Sequence, residues 1–366
     1  MTEVVLGTAV FVGFVLVLVT SVLAARAWLM PSRQVTIRLN DSRDIRARTG
    51  NKLLTELADD GLAIPSACGG VGTCGQCRVQ VVAGRVPALQ TETALLSRKD
   101  IAEGVRLACQ ITLRDDMAII LPESMLQAQS WTSRVLSSRT IAPEHQAAWD
   151  GMGLGGLSSH SKAEESRAYS IANRATEMPG RIVLLIRLAL PPPDRPDLPP
   201  GVVSSWLFGL DAGDSVPVSG PFGTFAAQDT DREMVFIGGG VGMAPLRAII
   251  SDQLEHQKTP RRMSFWYGAR SRVDLFYEAE LGDLQAKHPN FRWQAALSDP
   301  APGDNWPGET GFIHEVALRA YLGAHPAPHD CEYYLCGPPL MIRAVLAMLD
   351  DLGVDPTRIF NDDFGG

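Results

Sequence analysis

Four cysteines constrain this chain more than any other feature. Cys68, Cys74 and Cys77 stand in the spacing Cys-x5-Cys-x2-Cys within Ala67-Cys68-Gly69-Gly70-Val71-Gly72-Thr73-Cys74-Gly75-Gln76-Cys77, and Cys109 follows after 31 intervening residues in Leu107-Ala108-Cys109. Three thiols on one loop with a fourth brought from afar is close to the ligand pattern of a [2Fe-2S] cluster. Glycines 69, 70, 72 and 75 let such a loop curl around a small inorganic core and aim amide hydrogens at its sulfides, where side chains would obstruct the wrap. Structural zinc is the competing occupant, since it also takes four thiolates, although more often from two separate Cys-x2-Cys knuckles. The flanks suit a small half-open β domain. Residues Gln34 to Leu39 alternate apolar with polar, Lys52 to Ala58 have helical spacing, and Arg78 to Val82 and Met117 to Leu121 read as further strands.

The amino terminus sets a second constraint. Val4 to Ala25 is a run of 22 residues without a charge, bracketed by Glu3 and Arg26. A helix of that length spans the hydrocarbon core of a bilayer. Its acidic start, and Arg26, Trp28 and Arg33 after it, favour an anchor over a cleaved signal peptide and place the rest of the chain on the cytoplasmic side. In a cytoplasmic protein the six cysteines are not expected to form structural disulfides. With 33 Lys plus Arg against 41 Asp plus Glu, the net charge of -8 offers no footprint for a phosphate backbone, so nucleic-acid binding is excluded as a function class.

The cysteine region resembles the β-grasp fold of plant-type and vertebrate-type ferredoxins, and its first spacing is nearer the vertebrate type. Further along, Arg167-Ala168-Tyr169-Ser170 resembles the Arg-x-Tyr-Ser flavin motif of the ferredoxin reductase superfamily. The resemblance implies that Arg167 neutralises an FAD pyrophosphate, that Tyr169 packs beside the isoalloxazine and that the Ser170 hydroxyl reaches flavin N5. The stiff Pro191 to Pro200 run precedes Gly201-Val202-Val203-Ser204-Ser205, whose glycine and serines open a helix that offers amide hydrogens to a phosphate. Lying before Gly220-Pro221-Phe222-Gly223, the run reads as a loop within one flavin domain.

The third region reads as a doubly wound α/β domain. A buried strand over Met234 to Ile237 leads into Gly238-Gly239-Gly240-Val241-Gly242-Met243-Ala244-Pro245 and a helix to about Gln257. Strands recur at Met263 to Tyr267, Arg292 to Leu297, Glu332 to Leu335 and Arg358 to Phe360, which predicts a five-stranded parallel sheet. Gly238, Gly240 and Gly242 let backbone approach a pyrophosphate, and Pro245 is tolerated in the first helical turn. Met243 stands where a Gly-x-Gly-x-x-Gly pattern has its last glycine, a departure that fits the nicotinamide domain of the ferredoxin reductases. Cys336-Gly337-Pro338-Pro339 resembles the Cys-Gly-Pro-x element of that superfamily, which implies that the Cys336 thiol and Gly337 lie beside the nicotinamide. The terminal Asp362-Asp363-Phe364-Gly365-Gly366 implies that Phe364 stacks on the flavin until nicotinamide displaces it. Cys331 has no partner in this scheme and reads as structural.

The order of parts, with Ala67 to Cys77, Leu107 to Gln110, Met234 to Pro245, Met263 to Arg270, Cys331 to Pro339 and Asp362 to Gly366, resembles the F subunits of the sodium-translocating NADH:quinone oxidoreductases. The resemblance divides the chain into a transmembrane anchor over 1–30, a β-grasp [2Fe-2S] domain over 31–125, an antiparallel β-barrel FAD domain over 126–228 and an NADH domain over 229–366. It implies hydride transfer from NADH to FAD, then single electrons to the cluster on Cys68, Cys74, Cys77 and Cys109 and on to other membrane subunits, ending at ubiquinone. The span carries no ionisable residue, so sodium conduction is expected in the partners. The bacterial inner membrane is the implied location. Only Trp131 to Ser138 reads as a strand before Arg167, where the family places about three, so the barrel is expected to be short. An oxygenase reductase component and a flavin-deficient scaffold or assembly subunit are the alternatives. Gly268-Ala269-Arg270-Ser271-Arg272 lacks an acid for a ribose 2'-hydroxyl, so local charge alone would tolerate NADPH where the family implies NADH.

Overall fold

The computed structural model describes residues 11–21, 33–66, 68–84, 86–126, 128–139, 141, 167–191, 195 and 197–362. Residues 11–21 of the expected anchor are helical and exposed, and the rest of Val4 to Ala25 lies outside the described residues. Among the described residues no helix is long and apolar enough to cross a membrane. The chain forms two compact units, one comprising residues to Ile64 with Gly70–Gln129, the other Pro65–Gly69 with Ser130 onward.

The first unit is a five-stranded sheet over a short helix. Strands β1 (Gln34–Leu39), β2 (Arg43–Arg48), β3 (Arg78–Ala83), β4 (Val105–Leu107) and β5 (Met117–Ile120) lie in the order β2-β1-β5-β3-β4, with β1 and β5 parallel and the other pairs antiparallel. Asn40 and Asp41 turn the β1–β2 hairpin with φ of 48° and 53°, a conformation that these two residue types tolerate better than most. In β2, charges alternate with Ile45 and Ala47, which alone face the core. Helix α1 (Leu53–Asp59) buries Leu53 and Leu57 against Ile37, Ile45, Leu107, Leu113 and Ile119. Helices α2 (Gln90–Thr93) and α3 (Arg98–Ala102) fill the connection from β3 to β4.

The second unit holds a large parallel sheet and a sparse flavin segment. In the segment, β6 (Gln129–Arg134) pairs with β7 (Ser215–Gly220), Ile171 bridges Leu184, and α4 (Val202–Phe208) carries Val203, Ser204 and Ser205 on its buried side. Among the described residues this is a two-stranded sheet and one bridge. The ladder therefore starts two residues before the expected Trp131 and stops at Arg134, beyond which Val135 donates to Asp214 O at 2.8 Å.

The parallel sheet has six strands, one more than expected. They are β8 (Met234–Gly239), β9 (Met263–Ala269), β10 (Phe291–Leu297), β11 (Glu309–Thr310), β12 (Glu332–Cys336) and β13 (Ile359–Asp362), in the order β11-β10-β9-β8-β12-β13. The two-residue β11 is too short to leave a periodic pattern in sequence. Helices α5 (Met243–Ser251), α6 (Glu278–Lys287), α7 (Ile313–Ala320) and α8 (Pro339–Asp351) cover the faces. Every residue of β8 and β12 is buried. That explains their continuous apolar sequence, since a strand covered on both faces has no reason to alternate. The chain winds from β8 outward to β9 and β10, then returns across to β12. Ligands of doubly wound sheets bind at such a reversal, outside the carboxyl ends of the strands. Here those ends are Gly239 and Cys336.

Candidate active site

The cysteine loop is shaped as expected. Gly69, Gly70, Gly72 and Gly75 have φ of 65°, 88°, 93° and 65°, the left-handed region that side chains disfavour. A Cβ on Gly72 would come within 2.3 Å of the Gln110 amide. Cys74, Cys77 and Cys109 come together: the hydrogen bond with Cys109, burial, and the charges of Cys109 and Cys74 all push the Cys77 thiol upward. Thiols crowded in this way favour a cation that takes their protons, as iron does. Cys68 is half-buried at a turn closed by Gly69 N–H to Ser66 O at 3.0 Å. Two residues that sequence reasoning missed organise the surround. The buried Glu92 carboxylate accepts from Leu107 N at 2.7 Å and from Leu89 N at 2.8 Å, fixing the backbone that leads to Cys109. Gln110 Nε2 lies 3.4 Å from Cys109 Sγ, as a donor to sulfur. The thiols of Cys74, Cys77 and Cys109 and the glycine-wrapped loop fit a thiolate-held metal centre.

At the reversal of the parallel sheet, the glycine turn meets the Cys336 element directly. A Cβ on Gly242 would lie 2.1 Å from Cys336 O and 2.7 Å from Gly337 N, so only hydrogen fits there. Gly238 is equally confined, with Leu246 Cδ1 at 2.6 Å, whereas Gly240 has φ of 56° and nothing within 4 Å. Gly337 packs on Gly239, and Pro245 is buried in the first turn of α5. The Cys336 thiol is fully buried and reaches Asp362 O at 3.5 Å, while Ser170 Oγ donates to Asp362 Oδ2 at 2.7 Å. Asp362 thus joins two residues selected independently from the sequence. The terminal stretch Asp362 to Gly366 stands out in sequence for Phe364 and not for Asp362, whose place is set by the β12–β13 ladder, in which Cys336 is opposite Asp362. Phe364 lies outside the described residues.

The remaining flavin-motif residues divide. Tyr169 is half-buried, and burial pushes its phenol up to about 12, the nearby Arg167 charge opposing the shift. Arg167 is exposed. Ser204 is engaged locally, donating to Gly201 O at 3.0 Å and accepting from Ala189 N at 3.2 Å. Gly201 lies against Ala189, whose Cβ would be 2.7 Å from an added methyl. Ser205 Oγ is buried without a hydrogen-bond partner, an orphan that a phosphate oxygen would satisfy. A cleft of about 2240 Å³ runs within the second unit past Trp131, Leu136, Ile171, Gly240, Arg270 and Pro338. Its apolar wall and polar turn fit a flavin and a nicotinamide dinucleotide.

A buried arginine ties α5 to the stretch that follows the flavin motif. Arg247 of α5 donates to Ala172 O at 2.5 Å and to Glu177 Oε1 at 2.9 Å, its Nε lies 2.7 Å from Glu280 Oε1 off the hydrogen-bond axis, and its guanidinium stacks 4.9 Å from the Tyr277 ring centroid. Burial opposes its charge, but the two carboxylates outweigh burial and the net shift is upward. Elsewhere, Glu233, His325 and Cys331 hold ligand-type atoms within 4.8 Å of one another. His325 Nδ1 accepts from Ala327 N at 3.2 Å, so Nε2 carries the hydrogen and faces Glu233 at 3.3 Å, with Tyr321 donating to the same carboxylate. That trio is occupied by its own network. Burial, then the Glu233 charge, pushes the Cys331 thiol up to about 12, as suits a structural cysteine.

Three family models match in chain order: a 2Fe-2S iron-sulfur cluster binding domain over residues 37–114, an oxidoreductase FAD-binding domain over 157–226 and an oxidoreductase NAD-binding domain over 236–347. The chain is 43% identical to the F subunit of the Na(+)-translocating NADH-quinone reductase of Yersinia pseudotuberculosis serotype I (strain IP32953), over 407 aligned positions that cover 100% of both proteins. It is 44% identical over 408 positions to the protein of the same name from Methylococcus capsulatus (strain ATCC 33009 / NCIMB 11132 / Bath), again with 100% of both covered. These alignments are longer than the 366 residues of the chain, so the relatives carry residues that it lacks. Among solved structures it is similar to the Amycolatopsis cytochrome P450 reductase GcoB, with a TM-score of 0.65 and 26% identity over 90% of this chain and 98% of that one. A ferredoxin reductase in carbazole 1,9a-dioxygenase, at 0.60 and 22% with 91% and 99% covered, shares the fold.

Proposed function

The chain belongs to the family of F subunits of the Na(+)-translocating NADH-quinone reductases, with its cluster, FAD and NAD domains in order, and from that premise we propose which residues carry out its oxidation of NADH. When bound, the flavin accepts a hydride and releases electrons singly, matching a two-electron donor to a one-electron cluster. The chain's own residues bind and orient. The Gly238–Gly242 turn presents backbone to the dinucleotide at the reversal of the sheet. Ser170, held by Asp362, would present its hydroxyl to the flavin, and Cys336, on the backbone of the same Asp362, would lie beside the nicotinamide. Arg167 and Ser205 serve the FAD phosphates, and Tyr169 serves the ring. Phe364 covers the ring in the absence of nicotinamide. Cys68, Cys74, Cys77 and Cys109 hold the cluster, and Glu92 and Gln110 position Cys109.

The observation that carries this reading is the meeting of Ser170 and Cys336 on Asp362, 2.7 Å and 3.5 Å away, beside the glycine turn. Electrons then pass to other membrane subunits and to ubiquinone, and the Val4 to Ala25 segment anchors the chain in a bacterial inner membrane with the remainder in the cytoplasm. The ferredoxin reductase in carbazole 1,9a-dioxygenase shares the fold but matches at 22% rather than 43% identity. Full-length protein loaded with FAD and iron should show a flavin absorption band that NADH bleaches before the cluster signal changes. Cluster absorbance with no flavin uptake would instead support the scaffold reading.

A further inference from the structure

The sequence around Arg270 lacks an acid, yet the fold supplies one from the neighbouring strand. Beyond the β9–β10 ladder the backbone pairing continues, with Ser298 N–H to Ala269 O at 3.0 Å and Asp299 N–H to Arg270 O at 2.8 Å. This places Asp299 beside Arg270, and Oδ2 accepts from both Arg270 Nε and Nη2 at 3.1 Å. Both residues line the cleft. The other basic side chain of the stretch is directed elsewhere, since Arg272 lies 5.5 Å over the Trp306 ring and 3.7 Å from Glu278. Asp274 is occupied in turn by Ser271 N and Oγ, both at 3.1 Å.

The carboxyl end of the second strand is where a doubly wound domain meets the ribose 2' position of its dinucleotide. An acid there suits a hydroxyl, and a free arginine suits a 2'-phosphate. We propose that Asp299 is the coenzyme-selecting residue of this chain: it occupies Arg270 and repels a 2'-phosphate, so that the site takes NADH. The proposal rests on the NADH-oxidising reading given above. A 2'-phosphate bears nearly two negative charges and would have to displace one carboxylate from its guanidinium while remaining beside it. A ribose hydroxyl has only to donate to that carboxylate. Because the pair is 78% and 66% exposed, the discrimination is electrostatic and screened by salt.

The test uses the full FAD-loaded chain and its Asp299→Asn variant. Calorimetry with 2',5'-ADP and 5'-AMP requires no turnover, and steady-state oxidation of NADPH and NADH with ferricyanide gives the ratio of kcat/KM. In D299N the affinity for 2',5'-ADP relative to 5'-AMP should rise about tenfold, the scale of one charge contact, and the NADPH to NADH ratio should rise with it. Both gains should shrink at high salt and disappear in the double variant Arg270→Gln with Asp299→Asn. Unchanged ratios in D299N, or gains that survive loss of Arg270, overturn the proposal. If wild-type chain fails to oxidise NADH, the functional reading fails, and the calorimetric comparison still decides the role of Asp299.

Discussion

The parallel sheet and the flavin segment belong to one compact unit and are built on opposite terms. Residues of β8 and β12 are all buried, and the apolar side chains of Phe236, Trp266, Tyr333 and Tyr334 are enclosed on both faces. Among the described residues the flavin segment has a two-stranded sheet and a bridge, and leaves Trp131 45% and Leu136 59% exposed along the cleft. The sheet is covered on both faces by its own helices, whereas the segment leaves apolar surface open along the cleft. Burial of apolar area is the main stabilising term in folding, so FAD should stabilise the segment more than the sheet.

The largest effect that sharpens this contrast comes from outside both regions. Cys109→Ala should abolish the cluster while leaving NADH bleaching of the flavin intact, read by iron and acid-labile sulfide analysis alongside flavin absorbance. Next, Arg247→Met removes the cation between Glu177 and Glu280 and should cost about 3 kcal/mol in denaturant unfolding, together with weaker FAD retention. Equal loss of protection in the sheet and the segment, by hydrogen exchange, would contradict their separate footing. Gly242→Ala drives a methyl into the Cys336 carbonyl and should cost about 2 kcal/mol, localised to the sheet. Ser170→Ala should lower kcat about tenfold with little change in the KM for NADH, since it removes a hydroxyl that orients the flavin and leaves the dinucleotide turn untouched.

The last effect is a pH dependence, which is silent at neutral pH. The Cys331 thiol is raised from 9.0 to about 12, so between those values the unfolded chain loses a proton that the folded chain keeps. Its contribution to stability is therefore complete below pH 9 and is lost as pH rises toward 12. Alkylation at pH 9 should spare Cys331 in the native chain and modify it in denaturant.

What could be read in sequence follows from how local each feature is. The cysteine loop and the glycine turn are short stretches whose backbone demands are written in adjacent residues, and β8, β9 and β12 announce themselves as continuous apolar runs. Strand β2 was hidden because Arg43, Asp44, Arg46 and Arg48 surround the only two residues that it buries. Asp362 and Asp299 acquire their positions from pairing with distant strands, which no local pattern encodes. Strand β7 and the Ile171–Leu184 bridge gain their partners across long separations, so the flavin segment offers only one readable strand.

The Arg247 clasp bears on how such proteins can be recombined. One cation joins the Ala172 carbonyl and the Glu177 carboxylate, just after the flavin motif, to a glutamate about a hundred positions downstream, so the two nucleotide modules are tied to each other across the connection near residue 228. A chimera cut at that connection would inherit two acidic side chains from different parents facing whatever residue the donor helix supplied. Grafting succeeds only when the arginine travels with both of its anions.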